Sequence, residues 1–511
     1  MQKHPVLFQC NTRIAAREMR PGDGLTLLPS PLPRAPIFLE DFPDSFLDAL
    51  VQAGVEILWL LSVWETSKHS QQMSRTNPDW VAEFQQTLQP LYPNDIGGSG
   101  FALASYRVSE QLGGPSSLAI LRKRLNERGI KLMLDFVPNH MGLDHPWMDS
   151  NPDFLVQGNE QLLALQPQNY FRQPDSGTIF AHGRDPFFSG WVDTVQLDYS
   201  NPQLQQAMQT ELMHVAEQCD AVRCDMAMLL IPRVFEQTWG RPMKSFWGET
   251  IHAIKSRFPE FLLMAEVYWD MEWELQQEGF DYCYDKRLYD RLRDGDMCAV
   301  RNHLQASVEY QSRLARFLEN HDEPRAATVF PIERHVPATV VTYLTPGLRF
   351  FHQGQLEGFH KRISPHLVRG PNESIDPQIQ NLYQCIIELL RDPVFHEGEW
   401  ELLEIQRAWE DNWSSDCLLA WVWRRGESQI TMCIVNLADH EAQGTVVLPQ
   451  WLRPFASGNW VNRWTDAPFE MPVEHWLTGE WTVFMQGSQV IVAERTYEPT
   501  SSGVEQITQR P

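Results

Sequence analysis

Short apolar, strand-forming runs separated by helix-like segments recur along most of this chain and limit the folds open to it. Eight runs are found: VLFQCN (6–11), VEILWLLSVW (55–64), IKLMLDFV (130–137), AVRCDM (221–226), FLLMAEVYW (261–269), FDYCYD (280–285), LARFLEN (314–320) and LRFFHQG (348–354). Helical patterns lie between several of them, for example at 116–129 and 201–219. Eightfold alternation of this kind predicts an α/β fold, the (β/α)8 TIM barrel.

Two features outside the alternation predict further domains. The interval 141–200 after the third run is rich in Pro, Gly, Asp and aromatic residues, which favours an inserted subdomain over the barrel mouth. Beyond the barrel region 1–397, short alternating runs with turn residues predict a C-terminal antiparallel β-sandwich at 398–497. The Ser-, Thr- and Gln-rich tail 498–511 is predicted to be disordered.

Charge and composition exclude several partner classes. The 511 residues include 42 Lys plus Arg and 66 Asp plus Glu, so the net charge is 42 − 66 = −24. This balance argues against a nucleic acid or an anionic membrane as partner. The eight Cys form no CxxC pair, and the first residues do not resemble a secretory signal, so we expect a cytoplasmic protein with reduced thiols. The composition leaves the oligomeric state open.

Four of the apolar runs are followed by a carboxylate: Asp135, Asp225, Glu266 and Asp322. One such acid is more often a turn or helix-capping residue. As a set they point to catalysis, because acids at the ends of parallel barrel strands converge at the mouth where active sites lie. Three of the segments carry further polar residues that a solvated turn does not require, namely Asn139 and His140, Arg223, and Asn320 and His321.

The segments DFVPNH, AVRCDMAML, MAEVYWD and FLENHDEPR resemble, in order, the signature regions of the α-amylase family of glycoside hydrolases, family 13. The resemblance implies that Asp225 is the nucleophile, Glu266 the general acid/base and Asp322 a third carboxylate that binds sugar hydroxyls. Cleavage with retention needs a nucleophilic carboxylate and a carboxylic acid roughly 5 to 5.5 Å apart. Glu266 then needs a raised pKa, which burial and neighbouring acids supply.

The resemblance also implies a set of substrate-binding residues: Arg223, His140, His321, Phe101, Tyr106, Asp135 and Asn320. Arg223 lies one strand period before Asp225, so both side chains share a face and the guanidinium orients the carboxylate. A purely structural ion pair between Arg223 and Asp225 would give the same contact. Asp135 is interpreted as a support for Arg223 or for the loop.

Some positions depart from the family pattern. In GSGFALASYRV (98–108), Phe101 and Ser105 replace the Tyr and Asp of the family's GYxxxDY segment. Met228 and Leu229 stand where many amylases have Lys-His, which predicts a more apolar acceptor side.

The calcium-binding pattern of the family is also altered. In VQLDYSNP (195–202), Gln196 stands where a calcium-ligating Asp is common. A hard cation prefers several oxygen ligands, with charged ones favoured, so we predict no cofactor. Asn139 is a metal ligand only if a calcium site exists.

One segment is basic against the acidic background: HQGQLEGFHKRISPHLVRG (352–370), which His182 and Arg184 of the insertion could face. It is either a salt-bridged loop or an anion site for a phosphorylated sugar.

The favoured function is a retaining hydrolase of α-1,4 glucosidic bonds in maltooligosaccharides or α-glucans, with α-1,6 as the alternative linkage. An α-glucanotransferase or a sugar-phosphate-using transferase on the same residues is the second hypothesis, and a non-catalytic carbohydrate-binding protein is the third.

Overall fold

The computed structural model describes residues 2–22, 24–26, 34–426, 429–456, 459–470 and 473–496. The tail 498–511, predicted to be disordered, lies outside the described residues. The chain divides into two compact units, Met1–Arg391 and Asp392–Pro511.

The first unit is built on a closed barrel of eight parallel strands. The strands are β1 (Val6–Asn11), β2 (Ile57–Leu61), β3 (Lys131–Phe136), β4 (Ala221–Cys224), β5 (Leu262–Ala265), β6 (Tyr282–Tyr284), β7 (Leu314–Arg316) and β8 (Leu348–His352). They pair in chain order, and β8 closes on β1 with Arg349 opposite Val6. All eight lie within the predicted runs, because a strand covered on both faces must be apolar throughout. The predicted fold class is confirmed.

Helices cover the outside of the barrel. The two predicted at 116–129 and 201–219 are found at Gly114–Asn126 and Pro202–Gln218, and Asn201 caps the second by accepting from the Gln203 N–H at 2.9 Å. The other helices of this unit are Thr12–Glu18, Asp44–Gln52, Lys68–Thr76, Pro78–Thr87, Trp147–Ser150, Glu160–Leu165, Pro232–Trp239, Trp247–Arg257, Glu272–Glu278, Lys286–Asp294, Met297–Leu304, Val308–Ser312, Ala326–Val329, Ile332–Tyr343 and Pro377–Leu389.

Antiparallel strand pairs organise the long connections after β2 and β3. The pairs are Trp64–Thr66 with Leu103–Val108, His140–Gly142 with Thr194–Gln196, and Tyr170–Arg172 with Ile179–Ala181. In the second pair His140 lies opposite Gln196. The 141–200 insertion is therefore anchored at both ends directly beyond the carboxyl end of β3.

The second unit contains two antiparallel sheets, as predicted for the C-terminal region. In sheet order, the larger has Glu399–Leu402, Leu418–Arg425, Gln429–Asn436, Val490–Thr496, Asn459–Asn462 and Ala467–Phe469. The smaller has Ile405–Gln406, Ala442–Val447 and Glu480–Met485, and the helices are Val394–Glu397 and Val473–Thr478. Throughout the described ranges, no helix has both the length and the apolar character that crossing a bilayer requires.

Candidate active site

The three carboxylates assigned to catalysis meet in one cavity at the barrel mouth. Asp225 directly follows β4, Glu266 directly follows β5, and Asp322 lies in the loop after β7. We call the cavity of about 610 Å³ that all three line the mouth cavity. Its other lining residues are Asn77, Trp80, Ser99, Phe101, His140, Gly190, Trp191, Val192, Asp193, Thr194, Met226, Tyr268 and His366.

Arg223 of β4 links two of these carboxylates. Its Nη1 donates to Asp225 Oδ1 at 2.7 Å, and its Nη2 lies 2.7 Å from Glu266 Oε2. Asp135 Oδ1 lies 3.7 Å from the same Nη1. The side chain of Arg223 is only 1% exposed, so one buried cation faces three buried carboxyl groups. This arrangement fixes the position of both carboxylates relative to each other.

Aromatic rings surround that guanidinium. Its carbon lies 5.1 Å from the ring centre of Phe101, 5.4 Å from that of Trp59 and 5.9 Å from that of Tyr284. The Nε of Arg223 donates to the Tyr284 hydroxyl at 3.4 Å. These rings exclude water and strengthen the electrostatic contacts of Arg223 with the carboxylates.

Besides Arg223, two donors hold Glu266, and the pKa of Glu266 is raised. Its Oε2 accepts from the Met226 backbone N–H at 2.7 Å, and its Oε1 accepts from the Tyr268 hydroxyl at 2.9 Å. Burial raises the pKa of Glu266 to about 7, opposed by Arg223 and assisted by Asp225 and Asp322. A carboxyl with this pKa is partly protonated near neutral pH and is able to donate a proton to a leaving oxygen.

Replacing Tyr268 by Phe is expected to move the alkaline limb of the kcat/KM profile to higher pH by about 0.5 to 1, the effect of one lost hydrogen bond to a carboxylate. If Glu266 acts as the acid, the wild-type limb is expected near pH 7, where this group loses its proton. The hydroxyl stabilises the charged carboxylate, so its loss raises the pKa of Glu266 and extends activity upward. The pH dependence of the initial rate measures this, with Tyr92→Phe at an exposed ring as the control. An alkaline limb at the same pH in Tyr268→Phe would contradict the hydrogen bond from Tyr268 to Glu266.

The pKa values of Asp225 and Asp322 are set by a different combination of contacts from that of Glu266. Burial raises the pKa of Asp225, while the contact with Arg223 lowers it. At Asp322, burial favours a higher pKa, but His321, whose Nε2 lies 3.0 Å from Oδ2, and Arg223 bring it down to about 2. Asp322 is therefore ionised throughout the neutral range, beside an acid that is not fully ionised.

Of the two predicted sugar-binding histidines, His140 lines the mouth cavity, and His321 is buried beside Asp322. His321 Nδ1 is 2.9 Å from the side-chain nitrogen of Gln9 on β1, and Phe101 stacks on its ring at 5.4 Å. His140 lines the mouth cavity 5.1 Å from the ring of Trp191. Burial lowers the pKa of His140 to about 3, so its ring is neutral and able to exchange hydrogen bonds with hydroxyl groups.

Three of the residues predicted to bind substrate lie behind the cavity within the described part of the chain. The Tyr106 hydroxyl both donates to the Val137 carbonyl and accepts from its N–H, each at 2.9 Å. Asn320 Oδ1 accepts from the backbone N–H groups of Asp322 and Glu323. Asp135 contacts Arg223 and is 1% exposed. Their contacts are with the protein, where they shape the strand ends and support Arg223.

The prediction for Met228 and Leu229 is wrong. Both lie in the 3-10 turn Ala227–Leu230 and are buried, at 0% and 3% exposure. Met226 lines the mouth cavity instead, with a left-handed φ of +43°. That left-handed residue turns the chain so that the next side chains point into the protein.

The basic segment 352–370 forms no convergent anion site in the described structure, because most of its side chains have protein partners. The partners are Glu319 for His352, Glu83 for Arg362, Asp95 for Arg369 and Ser74 for His366. Arg184 lies over the ring of Trp239 at 4.8 Å. The salt-bridged loop is the interpretation that these contacts favour.

Several residues of the mouth cavity were not predicted. Tyr268 lies two residues after Glu266, so the period of two that linked Arg223 to Asp225 also indicates it. Trp80, Trp191 and Asp193 come from the long connections, and no sequence periodicity points to them.

A parallel barrel whose mouth gathers three carboxylates, one of them with a raised pKa, has the groups that cleavage of a glycosidic bond requires. A family model described as "Alpha amylase, catalytic domain" matches residues 47–369, more than half of the chain. The chain belongs to the alpha-amylase family.

Relatives and structural neighbours agree with this assignment. The chain is 24% identical over 281 residues to alpha-amylase MalA of Haloarcula japonica, covering 52% of this chain and 38% of that protein. It is 23% identical over 325 residues to alpha-amylase 3 of Dictyoglomus thermophilum, covering 58% of this chain and 61% of that protein. The matches thus span less than two thirds of either relative.

Solved structures match nearly the whole chain. The acarbose complex of an alpha-amylase from Geobacillus thermoleovorans aligns with a TM-score of 0.64 at 17% identity, covering 98% of this chain and 100% of that one. An alpha-amylase from Lactobacillus plantarum aligns with a TM-score of 0.63 at 19% identity, covering 97% and 99%. At these identities the likeness establishes the fold.

Proposed function

We propose that the protein is a retaining glycoside hydrolase that cleaves α-1,4 glucosidic bonds of maltooligosaccharides or α-glucans, with α-1,6 as the alternative linkage. The observation that carries the proposal is the placement of Asp225 and Glu266 on the two Nη atoms of Arg223, each at 2.7 Å. One guanidinium holds the two carboxyls close together. This suits a retaining pair, which lies roughly 5 to 5.5 Å apart, rather than a pair separated by a water molecule.

In the proposed first step, Asp225 attacks the anomeric carbon while Glu266 gives its proton to the leaving oxygen. The glycosidic bond breaks as the bond to Asp225 forms. In the second step Glu266, now ionised, takes a proton from water, which displaces Asp225 and restores both groups. The raised pKa of Glu266, about 7, supports its alternation between acid and base.

The remaining residues of the mouth cavity suit glucose recognition. The ionised Asp322 accepts hydrogen bonds from sugar hydroxyls and stabilises the positive charge that develops on the ring. The neutral His140 of this cavity contacts further hydroxyls, and His321, outside its lining, orients Asp322. Phe101 offers an aromatic surface beside them.

Incubation of the pure protein with maltose, isomaltose and maltooligosaccharides of graded length tests this proposal, with products separated by chromatography. We expect shorter α-glucans and glucose. Products longer than the substrate would favour an α-glucanotransferase, which uses the same carboxylates with a sugar hydroxyl as acceptor. The absence of turnover on every α-glucoside would overturn the proposal in favour of a binding protein.

We also propose that the catalytic unit does not depend on calcium. The side-chain nitrogen of Gln196 donates to the Asn139 carbonyl at 2.9 Å, to Asn139 Oδ1 at 3.0 Å and to the Leu197 carbonyl at 3.0 Å. Oxygens that would otherwise face a cation are thus occupied by an N–H donor, and calcium requires free oxygen ligands. Among the described residues, no group of three or more His, Cys, Asp or Glu side chains suits a metal ion. The residues at this position do not fit calcium.

Removal of divalent cations is therefore expected to leave the protein unchanged. Dialysis against EDTA should alter the initial rate by less than about twofold and Tm by less than about 1 °C, because no native ligand is lost. Differential scanning calorimetry and the maltooligosaccharide assay measure both quantities. Loss of activity that calcium alone restores contradicts the proposal.

A further inference from the structure

Asp193 is a carboxylate of the mouth cavity to which the proposed reaction gives no part. It lies at the end of the insertion, directly before the strand Thr194–Gln196, and it lines the same cavity as Asp225 and Glu266. Its residue exposure is only 4%. The Ser70 hydroxyl donates to its backbone carbonyl at 2.5 Å, which fixes the backbone in place.

One oxygen of the Asp193 carboxyl group lacks a hydrogen-bond partner among the described residues. Within the described ranges, its Oδ2 is buried and has no hydrogen-bond partner. Burial raises the pKa of Asp193 to about 6, and its own backbone N–H is the group that counteracts this. A buried carboxylate oxygen without a donor is costly, and most such atoms in proteins are paired. A ligand that donates a hydrogen bond to this oxygen offsets the free-energy cost of burying it.

The position of Asp193 indicates which part of a ligand it meets. Ser70, its backbone partner, belongs to the helix Lys68–Thr76 that follows β2. Glu266 and Tyr268 follow β5, and β3 and β4 separate β2 from β5 in the barrel. Because Glu266 protonates the leaving oxygen, the leaving group lies on the β5 side. The β2 side of the cavity then receives the glycone, the part of the substrate on the non-reducing side of the broken bond.

The surroundings of Asp193 suit a sugar ring. Trp191 and Trp80 line the same cavity, and both are only partly buried. Trp80 lies 4.9 Å from the ring of His366 and Trp191 lies 5.1 Å from that of His140. Flat aromatic faces contact the apolar faces of sugars, while a carboxylate accepts hydrogen bonds from vicinal hydroxyls.

From this geometry we infer that Asp193 accepts hydrogen bonds from the hydroxyls of a second glucose unit, next to the reacting one on its non-reducing side. This inference rests on the proposed function and adds a specificity determinant to it. Asp193 thereby selects substrates with at least two glucose units before the broken bond. It takes no part in bond breaking, so a substrate with a single glucose unit gains nothing from it.

A pair of aryl glycosides separates this role from a structural one. 4-Nitrophenyl α-glucoside places one glucose before the broken bond, and 4-nitrophenyl α-maltoside places two. For Asp193→Asn and Asp193→Ala we expect kcat/KM for nitrophenol release from the maltoside to fall about 10- to 100-fold, the effect of a lost charged hydrogen bond. The glucoside should stay within about threefold of wild type, since it does not reach Asp193. Asp175→Asn, at an exposed carboxylate of the same insertion, is the matched control.

The outcomes are distinguishable. A selective loss on the maltoside with unchanged Tm supports the inference. Equal losses on both substrates, or a lowered Tm with no change in the ratio of the two rates, would mean that Asp193 is structural and overturn it. Wild-type rates in both Asp193 variants overturn it too. Wild-type protein that cleaves neither aryl glycoside nor any maltooligosaccharide overturns the proposed function, and the inference falls with it.

Discussion

The variant Asp225→Asn is expected to lose at least about 10⁴-fold in kcat/KM on maltooligosaccharides, as nucleophile replacements in covalent catalysis do. The amide has nearly the same size as the carboxylate but does not form the glycosyl ester. In the wild-type protein Arg223 Nη1 donates to Asp225 Oδ1 at 2.7 Å. The amide oxygen of the variant accepts the same hydrogen bond, so the site should keep its shape. Initial rates with a long maltooligosaccharide measure the loss.

The control for this variant is the exposed carboxylate change Asp175→Asn, which should keep wild-type rates. The Tm of Asp225→Asn should equal or exceed that of wild type, because a buried carboxylate whose pKa burial has raised is replaced by a neutral group. A variant that keeps more than about a tenth of the wild-type rate would show that Asp225 is not the nucleophile.

The second large effect is expected from Arg223→Met. Removal of one partner from a buried ion pair typically lowers the free energy of unfolding by about 3 to 5 kcal/mol. Here the 1%-exposed Arg223 contacts both Asp225 and Glu266, with Asp135 nearby. Without it, the pKa of each carboxyl rises and Asp225 is partly protonated at neutral pH, so kcat/KM should fall by about 10³-fold or more.

The destabilisation of Arg223→Met should depend on pH. Carboxyls whose folded pKa lies above the unfolded value contribute to stability below the unfolded pKa, and that contribution is lost as pH rises through the folded pKa. The variant should therefore be destabilised less at pH 5 than at pH 8. Urea unfolding at both pH values measures this, with Arg172→Met, an exposed partner of Glu160, as the control. Equal unfolding free energies for Arg223→Met and wild type contradict the role of Arg223.

The barrel and its acids were predictable because each depends on residues that are close together in the sequence. Strands covered on both faces must be apolar, and Asp225 and Glu266 directly follow such strands. Asp193 and Trp191 were not predictable, since they reach the mouth cavity only through the pairing of His140–Gly142 with Thr194–Gln196. Contacts between distant loop segments leave no periodic pattern in a sequence.

Two further residues show what residue identity alone does not convey. From its residue type, Gln196 indicates only that a calcium ligand is lost. In the structure its side-chain nitrogen donates to three oxygens. Leu229 reads as an acceptor-side residue, but the left-handed turn at Met226 directs it into the protein. Both outcomes depend on the direction of a side chain, which sequence spacing does not determine.

Trapping of the glycosyl intermediate tests whether Asp225 is the nucleophile of a retaining reaction. The protein is incubated with 5-fluoro-α-glucosyl fluoride, whose fluorine slows the hydrolysis of an ester intermediate, and the digested protein is analysed by mass spectrometry. We expect one added fluoroglucosyl group on the peptide that contains Asp225, and none in Asp225→Asn. A label on Glu266 or Asp322, or turnover of the reagent in which no intermediate accumulates and the first product has inverted configuration, would contradict this role of Asp225.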